Sequence, residues 1–246
     1  MAQQIYPQGY DHWLSQRLTA RRLESLATCD NCAMVKPSGL TRDKGPFLNH
    51  LKCCTYFPYL PNFSLGALTS EDLAKTEPRG ILLPVGLFPS AEEQGKIESF
   101  GSEGFGKKSE LLCPFFDGVK NQCSIWTYRP GVCTSYFCKS DQGQKGLDYW
   151  KDVEKYLNHF EWKLACAVIE KMGLNENVLS YCQAAIDPNT DEDERDFFIV
   201  AAWDKWASKK QEFYQEARKI SFEFSAADLE NLLDPEFMQL EKKLNL

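Results

Sequence analysis

Eight of the ten cysteines in this chain fall between residues 29 and 138, in the order Cys29-x2-Cys32, Cys53-Cys54 and Cys113-x9-Cys123-x9-Cys133-x4-Cys138. Thiolates are soft ligands that hold zinc or iron–sulfur clusters, usually four to a site. The set predicts a metal centre with Cys29, Cys32, Cys53, Cys54, Cys113, Cys123, Cys133 and Cys138 as ligands. Cys29-x2-Cys32 is the strongest local signal, because two intervening residues allow a tight turn that points both sulfurs at one ion. A redox CxxC of thioredoxin type needs a βαβ pattern beside it, and none is apparent. In an extended segment Cys53 and Cys54 point to opposite faces, so they reach two metals or two atoms of one cluster. That favours a multinuclear iron–sulfur site over zinc. The competing reading of the pair is two small buried apolar residues.

The elements that must position these thiols are short. Tyr10 to Ala27 reads as a helix, with Trp13, Leu14, Leu18 and Leu26 on one side, running into the CxxC turn. Pro37 to Pro61 is punctuated and aromatic, so loops and short extended pieces are expected around Cys53 and Cys54. Thr69 with Asp72 forms a capping box that opens a helix through Lys75. Ile81 to Val85 reads as a buried strand stopped by Pro84. The glycines at 95, 101, 104 and 106 predict a mobile loop rather than a phosphate-binding fingerprint. Leu111 to Phe116 and Cys123 to Tyr128 flank Asp117-Gly118 and predict a hairpin. With the turn that follows, this hairpin is expected to gather Cys113, Cys123, Cys133 and Cys138. Pro130 is expected to open a short helix with Cys133 in its first turn. Cys138 lies about 140° around a regular helix from Cys133, so the helix must end between them if both are to meet one ion.

Beyond Gly146 the pattern turns helical. Trp150, Val153, Leu157, Phe160, Leu164 and Val168 recur every three or four residues and define one helix face ended by Gly173. A second helix is expected over Val178 to Ala185 and a long one from about Asp196 to Ile220. Ser225 with Asp228 caps a last short helix closed by Pro235. The fold class expected is α+β: an irregular cysteine-rich metal-binding core with short strands and a hairpin, plus a mainly helical C-terminal region. The corresponding division is 10–146 and 147–246, or one compact domain if the N-terminal helix packs on the later ones.

Eight thiolates bring much negative charge, and Lys36, Lys52, Lys120, Arg129 and Lys139 are the nearby cations in sequence. The lysines read as solvated surface charges, and Arg129, between two cysteines, as the compensating one. His50-x2-Cys53 has ligand-like spacing, yet eight thiols make it superfluous. His12 and His159 fall on helices as packing or surface residues, and no Cys–His or Ser–His catalytic pair can be argued. Cys166 and Cys182 sit in helical segments as buried apolar residues. The acidic run from Asp187 to Asp196 lacks EF-hand order and fits a solvated helix N-terminus.

A net charge of −7, from 28 basic and 35 acidic residues, offers no footprint for nucleic acid. No apolar run approaches the roughly 20 residues of a membrane span, and the N-terminus lacks a signal peptide's apolar region. A cytoplasmic, reducing setting is expected, where cysteines serve as ligands more than as disulfides.

The order CxxC, CC, Cys113-Pro114-Phe115, then Cys123-Ser-Ile-Trp-Thr-Tyr-Arg-Pro-Gly-Val-Cys133 and Cys138 resembles the YkgJ-like cysteine-cluster family of zinc- or iron-chelating domains. All eight cysteines and the Arg129-Pro130 step have counterparts in its pattern. Two departures stand out: twenty residues, 33–52, separate the first two cysteine pairs, and Trp126 stands where tyrosine is common. The resemblance covers residues 29–138 and implies metal chelation. Some relatives are described as iron–sulfur oxidoreductases and others as flagellin lysine methylases. The functional expectation is a metal-binding protein with an iron–sulfur cluster and a redox role, acting on a protein or small-molecule partner. Structural zinc, or a metal-scaffolded protein-modifying enzyme of methylase type, are the alternatives.

Overall fold

Local capping chemistry sets many of the element boundaries. The Thr69 hydroxyl accepts from the Asp72 N–H at 3.1 Å while the Asp72 carboxylate accepts from the Thr69 N–H at 3.3 Å, which closes the expected capping box. Ser225 and Asp228 repeat the arrangement at 3.2 and 2.8 Å. Asp191 accepts from the Glu194 N–H at 2.8 Å, so the acidic run caps a helix and complements its dipole.

The computed structural model describes residues 7–15, 17, 18, 24, 31–232 and 234–244. In chain order the elements are α1 (Asp11–Leu14), β1 (Leu60–Pro61), α2 (Asn62–Leu65), α3 (Ser70–Ala74), β2 (Gly80–Leu83), β3 (Gly86–Pro89), α4 (Ala91–Gly104), β4 (Phe116–Asp117), β5 (Gln122–Cys123), α5 (Gly131–Ser135), α6 (Gly143–Lys171), α7 (Val178–Ile186), α8 (Glu192–Trp203), α9 (Lys210–Ser221), α10 (Ala226–Leu232) and α11 (Pro235–Leu244). Among the described residues the chain is mostly helical with two small antiparallel sheets, an α+β arrangement. From Gly143 onward every regular element among the described residues is helical. Two compact units divide the chain. Met1–Pro58, Gly95–His159 and Leu233–Leu246 form the first, and Tyr59–Gln94 with Phe160–Leu232 the second. Residue 146 lies in the first turn of α6, within the first unit.

The second unit carries the sheet ordered β1-β3-β2, with Leu82 opposite Leu87 and Leu60 opposite Leu87 on the other side. Leu60, Leu83, Val85 and Leu87 are fully buried, so the backbone carbonyls of the β2–β3 turn need internal donors. Four side chains supply them. The Trp203 indole N–H donates to the Leu82 carbonyl at 2.8 Å and the Tyr214 hydroxyl to Leu83 at 2.8 Å. The Asn62 amide reaches Pro84 at 3.0 Å, and the Tyr59 hydroxyl reaches Val85 at 3.1 Å. Asn62 also donates to the Ala165 carbonyl of α6 at 3.1 Å. At Gly66 a side chain would meet the Tyr214 carbonyl at 2.1 Å, so glycine permits α2 to approach α9 this closely.

The predicted stripe of α6 holds: Trp150, Val153, Leu157, Leu164 and Val168 are fully buried and Phe160 nearly so. Three other expectations change. Gly95 to Gly104 is part of α4, bent at Gly101 (φ 53), because Ser90 caps its start and acidic Glu92 and Glu93 fill its first turn. The long helix from Asp196 splits into α8 and α9, with Asp204 at φ 42 after Trp203. Pro235 opens α11 instead of closing α10, since proline suits a first helical turn and Asp234 caps the Phe237 N–H at 3.0 Å. Of the predicted helix 10–27, Asp11–Leu14 is helical, with Trp13, Leu14 and Leu18 buried. Most of its remainder, Leu26 included, lies outside the described residues.

Candidate functional site

All the predicted ligands that can be placed lie in the first unit. Among the described residues, 31–58 contain neither helix nor strand. Backbone bonds from Phe47 to the Met34 carbonyl at 2.7 Å and from Leu48 to the Gly106 carbonyl at 2.8 Å secure this segment. The Gly106 N–H in turn donates to the Thr55 hydroxyl at 2.5 Å. Gly106 adopts φ +75, and a Cβ there would lie 2.2 Å from the buried Phe47 ring, so only glycine fits.

Cys53 and Cys54 occupy a turn rather than an extended strand. Lys52 donates its N–H to the Leu48 carbonyl at 2.9 Å and Cys54 to Leu51 at 3.1 Å, with Lys52 at φ 53. The strand alternation that would send the two thiols to opposite faces is lost, and the expectation of an extended segment at Cys53-Cys54 is corrected accordingly. Cys113 joins them through its N–H, which donates to the Cys54 carbonyl at 2.7 Å. The expected hairpin then forms with only two residues per strand: Phe116 pairs with Cys123, and the Ser124 N–H reaches the Phe115 carbonyl at 2.8 Å. A single 3₁₀ turn at Trp126–Tyr128 leads to extended Arg129 and to Pro130, which precedes α5 and its Cys133. The helix ends at Ser135, before Cys138. The Cys138 carbonyl accepts from the Arg42 N–H at 2.8 Å.

Electrostatics tie these thiols together. Cys53 is pushed well above the ordinary thiol range, first by its hydrogen bond with Cys54, then by burial and by the Cys54 charge, while Arg129 pulls it down. Cys133 is pushed well up by burial and then by Cys113, Cys123 and Cys53, again against Arg129. Tyr136 is raised by burial, by its 2.6 Å hydrogen bond to Asp43 and, more weakly, by Cys53 and Cys138. Cys53, Cys54, Cys113, Cys123 and Cys133 thus share one neighbourhood, and Cys138 borders it through Tyr136. Cys32 is placed by a separate turn, its carbonyl accepting from Val35 at 3.1 Å. Cys29 lies outside the described residues.

Among the described residues no three His, Cys, Asp or Glu side chains stand together at metal-holding spacing. The donor set of soft thiols beside a guanidinium fits a thiophilic metal, and closing it to metal–sulfur distances of about 2.3 Å requires the side chains to draw together. No family model, curated protein or solved structure matches the chain. No described helix is long and apolar enough to cross a membrane.

The remaining candidates separate clearly. His12 and His50 are exposed, and His159 faces Asp234 at 3.0 Å. Cys166 and Cys182 lie in the second unit, where burial pushes each thiol up to about 12; Cys182 is buried as expected, whereas Cys166 is only half-buried. Lys36 and Lys120 are exposed. Lys52, read from sequence as a solvated charge, is instead buried and donates to the Asn121 carbonyl at 3.2 Å. Arg129 places its guanidinium carbon 3.6 Å from the Trp126 ring centroid, and its buried Nε has no hydrogen-bond partner. Sequence reasoning missed Arg42, whose guanidinium pairs with Glu154 at 2.5 Å and lies over the Tyr136 ring. Nothing but its position in the insertion between the cysteine pairs could have flagged it.

Proposed function

We propose that this chain is a metal-binding protein in which Cys29, Cys32, Cys53, Cys54, Cys113, Cys123, Cys133 and Cys138 hold a multinuclear centre of iron–sulfur type with a redox role. The observation that carries this reading is the shared neighbourhood of Cys53, Cys54, Cys113, Cys123 and Cys133. These thiols outnumber the usual four of a single tetrahedral ion. The cysteine order and the Arg129-Pro130 step, which resemble the YkgJ-like family, support the same chemistry. When bound, an iron–sulfur centre supplies one-electron transfer. The chain's own part is to present thiolates, to place a guanidinium beside them, and to exclude water with Phe57 and Phe115, both fully buried. Purification without oxygen, followed by iron and sulfide analysis and a visible spectrum, tests the proposal. Bound iron with acid-labile sulfide is expected, and a colourless, iron-free protein overturns it.

A second reading is structural zinc, favoured by residues 31–58, which carry three of the eight cysteines, Cys32, Cys53 and Cys54, yet among the described residues no regular element. A four-thiolate site contributes an apparent ~10–16 kcal/mol to folding, ample to tie down such a segment. Stoichiometric zinc, whose chelation loosens the fold, supports this reading over the first.

A further inference from the structure

Apolar residues run without a break from Phe197 to Ala202, around more than a full turn of α8. A helix that is apolar all round belongs in a core, yet α8 is covered on one side only. Ala202 and Trp203 are buried, whereas Phe197 is 63% exposed and Val200 68% exposed. These two lie one turn apart, so they form a stripe and not scattered surface residues. The stripe widens toward α7: the Phe197 ring meets Phe198 edge to face at 5.5 Å, and Phe198 stacks on Tyr181 at 6.2 Å, both half-buried. A contiguous apolar patch with a polar rim marks an interaction site. Charge completes the pattern. Asp193 and Asp196 stand one turn before Phe197 and Val200 on the same face, and both are exposed. Among the described residues neither makes an ion pair. The basic residue of α8, Arg195, is engaged elsewhere, its guanidinium donating to the carbonyls of Ala185 at 3.1 Å, Asp187 at 3.1 Å and Thr190 at 2.6 Å.

We infer that this face of α8 docks a basic amphipathic helix of another protein, with apolar side chains over Phe197 and Val200 and lysines or arginines opposite Asp193 and Asp196. Recognition of one helix by another uses anchors three and four residues apart, the spacing that 193, 196, 197 and 200 provide over about 10 Å of helix. The two carboxylates select the sign of the partner's charge and speed its approach. A second copy of this chain would bring the same carboxylates to the face, and each copy carries a net charge of −7, so self-association there sets like charges together. The face lies in the second unit and involves none of the cysteines proposed to hold metal.

The test follows, by fluorescence anisotropy, binding of the full-length chain to a labelled leucine–lysine peptide of about four helical turns, apolar on one face, and to the same peptide with glutamate for lysine. The lysine peptide is expected to bind at least about 10-fold more tightly than the glutamate peptide. Phe197→Ser with Val200→Ser is expected to weaken it about 10-fold or more. Asp193→Asn with Asp196→Asn is expected to weaken it about 3- to 10-fold and to flatten its salt dependence. Glu71→Gln with Glu103→Gln removes the same charge from α3 and α4, at exposed positions, and is expected to leave binding within about twofold of wild type. Because all four α8 side chains are exposed, their variants should keep the wild-type urea midpoint. Equal binding of the two peptides, α8 variants within about twofold of wild type, or an equal loss in the α3–α4 variant overturns the inference. So does a wild-type dimer in sedimentation that Phe197→Ser with Val200→Ser dissolves, which would assign the face to a second copy.

Discussion

The second unit meets the carbonyls at its β2–β3 turn with four side-chain donors, while in the first the thiols Cys53 and Cys133 are shifted by burial, by neighbouring thiols and by Arg129. In the second, Trp203, Tyr214, Asn62 and Tyr59 satisfy four consecutive carbonyls from Leu82 to Val85. Its cysteines, Cys166 and Cys182, are raised mainly by burial. In the first, Cys53 is raised foremost by another thiol, and residues 31–58 hang on a few long-range bonds and the Gly106–Phe47 contact. The same residue type therefore sits in two settings: shifted mainly by burial in the second unit, and shifted by neighbouring thiols in the first, where we propose the metal centre.

The largest effect that could break this contrast comes from the thiols themselves. Replacing Cys53 and Cys54 together by serine is expected to abolish stoichiometric metal binding, whereas C166S with C182S leaves it unchanged; elemental analysis of the purified chains decides. A smaller effect sharpens the other side. Asn62→Ala leaves the Pro84 and Ala165 carbonyls without their buried donor, at a cost of about 3 kcal/mol. Urea denaturation should register that loss, while metal per folded chain stays at the wild-type value. A fall in metal content equal to that of the cysteine variants would erase the distinction between the two regions.

How much of this was legible in the sequence follows the same division. The stripe from Trp150 to Val168, the boxes at Thr69 and Ser225 and the helix at Val178 depend on neighbours within a turn, so local pattern suffices. The break at Asp204 interrupts a stretch read as one helix from about Asp196 to Ile220, and nothing local marks the positive φ there. The glycines from 95 to 104 suggested a loop, yet the Ser90 cap and the acidic first turn carry α4 through them. At the candidate site, the eight cysteines and Arg129 stood out by type and spacing. The turn at Cys53 and Cys54, the burial of Lys52 and the stack of Arg129 on Trp126 are tertiary facts. They depend on Leu48, Asn121 and the hairpin coming together.

Differential alkylation of the native, reduced, metal-loaded chain at pH 8, with and without a chelator, tests most directly whether the two sets of cysteines differ in kind. Chelation is expected to expose Cys29, Cys32, Cys53, Cys54, Cys113, Cys123, Cys133 and Cys138 to the reagent. Cys166 and Cys182 should stay unlabelled in both states, because thiols pushed up to about 12 carry little thiolate at that pH. Labelling of the eight that is indifferent to the chelator, or a matching rise at Cys166 and Cys182, would contradict a metal centre confined to the first unit.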